Sequence, residues 1–136
     1  MMDFIQQNTT YVVMAVLGIW IVWKRIVAPK LSGVKSMSSG DYLKFREEPH
    51  VLIDVRSSDE WASGHAPSAL HLPLRELLQR KDEIDKDVPI IVLCASGNRS
   101  MLAATALAKQ GFAPVYNFSG GMGAWKSTGL PIKMNH

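Results

Sequence analysis

Residues 89–100 read Pro89-Ile90-Ile91-Val92-Leu93-Cys94-Ala95-Ser96-Gly97-Asn98-Arg99-Ser100, and the alanine-rich stretch Met101 to Gln110 follows directly. An apolar, β-branched run of this length, closed by a short polar loop, predicts a buried strand entering a helix. The loop carries the only cysteine of the chain. A thiol delivered to a tight loop at a helix N-terminus sits among backbone N–H groups and the positive end of the helix dipole, and both favour negative charge. Arg99 adds a cation. The thiolate is the nucleophilic form of cysteine, and such surroundings lower its pKa. A cysteine that merely packs would not need Gly97, Asn98, Arg99 and Ser100 after it. Cys94 is therefore the candidate nucleophile, in a pocket expected to open to solvent.

Working outward, Val34 to Met37 reads as a brief first strand. Ser38 to Asp41 offers N-cap residues for a helix through Tyr42, Leu43 and Phe45 that ends before Pro49. Val51-Leu52-Ile53 is a second strand leading to Asp54-Val55-Arg56. Ser57 and Glu60 have capping-box spacing, so a short helix bearing Trp61 starts there and Gly64 ends it. Ala69 to Leu72 is a short strand. Pro73 suits the first turn of a helix presenting Leu74, Leu77 and Leu78. Arg80 to Asp87 mixes both charges and reads as a solvated connection. After the cysteine loop, a helix from Ser100 to Gln110 ends at Gly111. Val115 to Phe118 is a late strand, and Gly120-Gly121 turns into a helical segment with Trp125. Strands alternating with helices at this spacing predict an α/β domain with a parallel sheet covered on both faces. Ligands of such sheets bind beyond the carboxyl ends of the strands, where Cys94 lies.

The 136 residues carry a net charge of +3. Lys24, Arg25, Lys30 and Lys35 against Asp3 account for all of it, and residues 38–136 balance. A nucleic-acid surface would need a basic patch on the domain, so nucleic acid is not an expected partner. One cysteine makes neither an internal disulfide nor a zinc site, and His50, His71 and His136 are scattered without ligand spacing. No metal or cofactor is implied.

Tyr11 to Trp23 reads YVVMAVLGIWIVW, and the uncharged stretch runs from Phe4 to Trp23. A helix apolar all round has no face to leave in water. Roughly 20 helical residues at about 1.5 Å each cross about 30 Å. Tyr11, Trp20 and Trp23 stand near the two ends, where aromatic belts form. The expectation is one transmembrane helix over about residues 8–27, with residues 1–33 as anchor and linker and 34–136 as the domain. Because the cations follow the span, the domain is expected to face the cytoplasm from the cell inner membrane. A lone thiol suits that reducing compartment.

Three blocks resemble the rhodanese homology domain. They are VLIDVRSSDEWASGHAPSALHLP (Val51 to Pro73), IVLCASGNRS (Ile91 to Ser100) and VYNFSGGMGAWKSTGLP (Val115 to Pro131). The likeness covers roughly residues 34–133, and the apolar segment in front matches membrane-anchored, single-domain bacterial rhodaneses. The turn Gly64 to Ala69 departs mildly, lacking the family's usual isoleucine before the proline and glycine after it. The resemblance implies a rhodanese-like fold and a sulfurtransferase. Cys94 would take the outer sulfur of thiosulfate or another sulfane-sulfur donor as a persulfide. A thiol, cyanide or a partner protein's cysteine would then accept that sulfur. The amides of Ala95, Ser96, Gly97, Asn98, Arg99 and Ser100 would hold the sulfur, and Gly97 would supply a backbone angle closed to other residues. Arg99 would bind the anionic donor or form a structural ion pair. Asp54 and Arg56 read as a supporting pair that braces the loops.

Two other readings compete. Cysteine phosphatases and arsenate reductases place five residues between cysteine and arginine, whereas four separate Cys94 from Arg99. The smaller loop suits a sulfur atom better than a phosphate. The other alternative is a membrane-tethered binding module that uses the fold without turnover.

Overall fold

The centre of the domain is the run Ile90 to Leu93, in which every residue is buried. Side chains alternate across a strand. Ile90 and Val92 enter a cluster with Ile53, Leu72, Leu77 and Leu107. Ile91 and Leu93 enter another, with Tyr42, Leu52, Phe118 and Trp125. A strand buried on both faces belongs inside a parallel sheet.

The structure is a computed structural model and describes residues 2–23 and 33–134. The sheet contains β1 (Lys35–Met37), β2 (Val51–Asp54), β3 (Leu70–His71), β4 (Ile90–Leu93) and β5 (Val115–Phe118), in the order β1-β5-β4-β2-β3. All pairings are parallel. The domain helices are α2 (Ser39–Phe45), α3 (Ser58–Ala62), α4 (Asn98–Lys109) and α5 (Gly121–Ser127). Ser38 with Asp41 caps α2 and Ser57 with Glu60 caps α3, each as a complete capping box. Pro73 does not open an α-helix. It leads into a single 3₁₀ turn, Leu74–Glu76, with Leu77 buried and Leu78 exposed. Leu74 and Leu77 pack against the core while Leu78 does not, so the apolar face ends within one turn, too short for an amphipathic helix.

The chain divides into two compact units, within Met1–Gly33 and Val34–His136. In the first, α1 covers Met2–Val22. Here the sequence expectation needs correcting: among the described residues, no helix is long and apolar enough to cross a membrane. Gln6 to Thr10 is polar throughout, so the continuously apolar run begins only at Tyr11. From Tyr11 to Trp23 it rises about 20 Å, against about 30 Å of hydrocarbon. Residues 24–27 of the expected span lie outside the described residues.

Candidate active site

Three strands end together around Cys94. It follows β4, flanked by the segment after β2 and the turn after β5. The loop from Cys94 folds back so that the Gly97 N–H donates to Cys94 Sγ at 3.0 Å. This needs φ = +104° at Gly97, the N-cap of α4, a region that a side chain makes costly. Gly121 closes the other side. Its φ is +55°, and a Cβ there would run into the backbone of Cys94 and Ala95. That close approach lets the Met122 N–H donate to the Cys94 carbonyl at 2.9 Å.

The thiol environment is built from neutral donors. Burial pushes the Cys94 thiol up, but hydrogen bonds from the Ser100 hydroxyl and from the N–H groups of Ser100, Gly97 and Ser96 outweigh it and leave the pKa lowered. Of the loop amides named from the sequence, these three act on the sulfur. Ala95, Ser96 and Asn98 have exposed side chains. Ser100 is fully buried, with Oγ 3.2 Å from Cys94 Sγ and in hydrogen-bond contact with Asn117 Oδ1. A hydroxyl has one proton and two lone pairs. With a protonated thiol, S–H donates to Ser100 and Ser100 donates to Asn117. With a thiolate, the Ser100 proton turns to sulfur. Asn117 Nδ2 also donates to the Gly97 carbonyl at 3.2 Å, which pins the loop to β5.

Cys94 itself is 0 % exposed, contrary to the expectation of a thiol open to solvent. The same folding-back that aims three N–H groups at the sulfur also covers it.

Arg99, half-buried, forms a two-point pair with Glu60: Nη1 to Oε1 at 2.6 Å and Nη2 to Oε2 at 2.7 Å. That pairing, with help from Ser57, holds the Glu60 carboxyl down to about 2. The Arg99 guanidinium is held more firmly charged by Glu60, with smaller contributions from Cys94 and Asp54. The attraction is mutual, so the Arg99 charge also favours the Cys94 thiolate, but the hydrogen bonds of the loop come ahead of it.

Asp54 and Arg56 form a buried pair. Arg56 Nη2 donates to Asp54 Oδ2 and to the Gly64 carbonyl, both at 2.8 Å, while Nε reaches both carboxylate oxygens at 3.0 Å. His71 Nε2 reaches the Arg56 carbonyl at 2.8 Å. These contacts tie the end of β2 to the Gly64 turn and to β3. Among the named site residues, the structure thus gathers Ser96, Gly97 and Ser100 on the sulfur. It sets Arg99 beside them in an ion pair and places Asp54 and Arg56 as a brace. Sequence reading missed Asn117, whose signal was an amide inside an otherwise apolar strand, and saw Glu60 only as a helix cap.

Fold and site together define a parallel α/β domain that holds a cysteine in a hydrogen-bonding loop at the carboxyl edge of its sheet. A family model described as "Rhodanese-like domain" matches residues 38–128. The chain belongs to the rhodanese-like family. It is 42% identical over 85 residues to a protein of Allochromatium vinosum named sulfurtransferase, covering 62% of this chain and 79% of that protein. It is 40% identical over 83 residues to the thiosulfate sulfurtransferase GlpE of Pseudomonas syringae pv. syringae, covering 61% and 78%. A crystal structure of a rhodanese-related protein from Thermoplasma volcanium matches with a TM-score of 0.68 at 26% identity, over 74% of this chain and 99% of that one.

Proposed function

We propose that the protein is a sulfurtransferase that carries sulfane sulfur on Cys94. The observation carrying this reading is the set of donors on Sγ: the hydroxyl of Ser100 and the N–H groups of Ser96, Gly97 and Ser100. A packing cysteine needs no such set, whereas a sulfur anion does. The relatives named sulfurtransferases support the same class.

The reaction proceeds by covalent catalysis in two displacements. The Cys94 thiolate attacks the outer sulfur of thiosulfate. A Cys94–sulfur bond forms, the donor's sulfur–sulfur bond breaks, and sulfite leaves with the electron pair. The persulfide anion then occupies the loop, where the N–H groups act as an oxyanion hole does for oxygen. An acceptor thiolate or cyanide attacks the terminal sulfur, takes it away, and returns Cys94 to the thiolate. No second cysteine exists in the chain to resolve the persulfide, so the acceptor comes from outside.

Thiosulfate:cyanide transfer by the wild type and by Cys94→Ala tests this reading. Thiocyanate production that needs Cys94 is the expected result, and equal rates for both proteins would overturn it. We further propose that the Tyr11–Trp23 run attaches the protein to a membrane with the domain on the cytoplasmic side. Val12, Val16 and Ile19 are exposed apolar side chains on α1, and Lys24 and Arg25 follow the run. Recovery in the membrane fraction, with the domain protected from external protease in intact cells, is expected. Full recovery in the soluble fraction would contradict it.

A further inference from the structure

Glu60 is two residues past the start of α3 and already serves its capping box, so its reach across to Arg99 is a second task. A bidentate carboxylate–guanidinium pair is the strongest geometry the two groups can make. Its effect on the site is a matter of counting charge. The sulfur is held by neutral donors, Arg56 is paired with Asp54, and Arg99 is paired with Glu60. Arg99 also lines a cleft of about 560 Å³ with Val55, Ser57, Asp59, Leu74 and Arg75, where Asp59 and Arg75 are of opposite sign. An incoming donor therefore meets the negative charge of the thiolate without a free guanidinium from Arg99 to offset it.

We propose that Glu60 is a specificity-determining residue: by occupying the Arg99 guanidinium, it biases the site against dianionic sulfur donors and toward monoanionic ones. This rests on the sulfur-transfer reading. A thiosulfonate offers the same outer sulfur as thiosulfate but carries one charge instead of two. Attack by Cys94 breaks its sulfur–sulfur bond and releases a sulfinate in place of sulfite, so the chemistry is matched and the charge differs. Coulomb energy scales with ligand charge, so the effect of Glu60 on the dianion is the square of its effect on the monoanion.

The test compares kcat/KM for thiosulfate and for a thiosulfonate in the wild type and in Glu60→Gln. Glutamine keeps one oxygen to accept from Ser57, removes the charge and replaces the second acceptor for Arg99 by an NH2 donor, so it releases the guanidinium. The expected result is a gain of about threefold for the thiosulfonate and about tenfold for thiosulfate, on the scale of one charge removed from a partly solvated site. Adding Arg99→Gln to Glu60→Gln should erase the difference between donors. An equal change for both donors, or a loss for both, would overturn the proposal and leave Glu60 a structural tie. Should Glu60→Gln fail to fold, the wild type decides alone. Screening a net-negative site must raise the thiosulfate-to-thiosulfonate ratio of kcat/KM as salt is added, and a falling ratio overturns the claim. If no donor turns over, the sulfur-transfer reading fails separately. The charge claim is then read from protection of Cys94 against alkylation: Glu60→Gln must increase protection by sulfate more than by methanesulfonate, and equal protection rejects it.

Discussion

Cys94 owes its character chiefly to a fully buried hydroxyl and to loop amides, with the Arg99 charge a smaller contribution. The Ser100 hydroxyl is the donor that one substitution removes. Ser100→Ala should move the pH midpoint of Cys94 alkylation upward. It should also slow sulfur transfer near neutral pH by about a hundredfold, the lower end of what losing one preorganised donor to an anion costs. The sign follows from the folded thiol being lowered from its ordinary value of 9.0. Alkylation of the wild type therefore rises with pH through a midpoint below that value. The pocket's stabilisation of the thiolate is complete above the unfolded thiol's pKa and is lost as pH falls through the lowered, folded one. A midpoint unchanged in Ser100→Ala would remove Ser100 from the account. Asn117 carries the other half of this arrangement, since it receives the Ser100 proton when sulfur keeps its own.

At the scale of elements, the cysteine loop is locked from both sides by glycine. Gly121→Ala combines a positive φ with a collision against the backbone of Cys94 and Ala95. It should destabilise the domain by about 3 kcal/mol, measured by urea unfolding. Gly97→Ala meets only ordinary van der Waals contacts, with Gly120, Phe118 and Asn117, and suffers chiefly the backbone penalty, about 1–2 kcal/mol. The Ser57–Glu60 capping box, the N-cap at Ser38 to Asp41 and the β4–loop–α4 sequence were readable from residue order, because caps, turn glycines and apolar runs act locally. The 3₁₀ turn after Pro73 was not, because its length depends on how few leucines the core accepts there. Glu60 and Asn117 escaped for a related reason. Their partners, Arg99 and Ser100, lie 39 and 17 residues away, and only the parallel strand order brings them together. The burial of Cys94 belongs here too: the sequence marks a loop that wraps sulfur but not how tightly it closes.

For the molecule as a whole, the two ion pairs near the site differ in kind. Asp54→Asn leaves Arg56 buried without its counter-charge and should cost about 3–5 kcal/mol. Breaking the half-exposed Glu60–Arg99 pair by Arg99→Gln should cost at most about 1 kcal/mol. Comparable losses in thermal unfolding would contradict this division between brace and tuning contact. The core clusters and the whole sheet lie within Val34–His136, so a chain of residues 34–136 should fold in one cooperative transition and keep its sulfur-transfer rate. Failure of that chain to fold would assign residues 1–33 a structural role. The central claim is that a loop of neutral donors makes Cys94 a carrier of sulfur. Its most direct test is the intact mass of the protein after exposure to thiosulfate and removal of excess donor. The account predicts a gain of one sulfur atom, discharged by cyanide and absent from Cys94→Ala. An unchanged mass, or the same gain in Cys94→Ala, would contradict it.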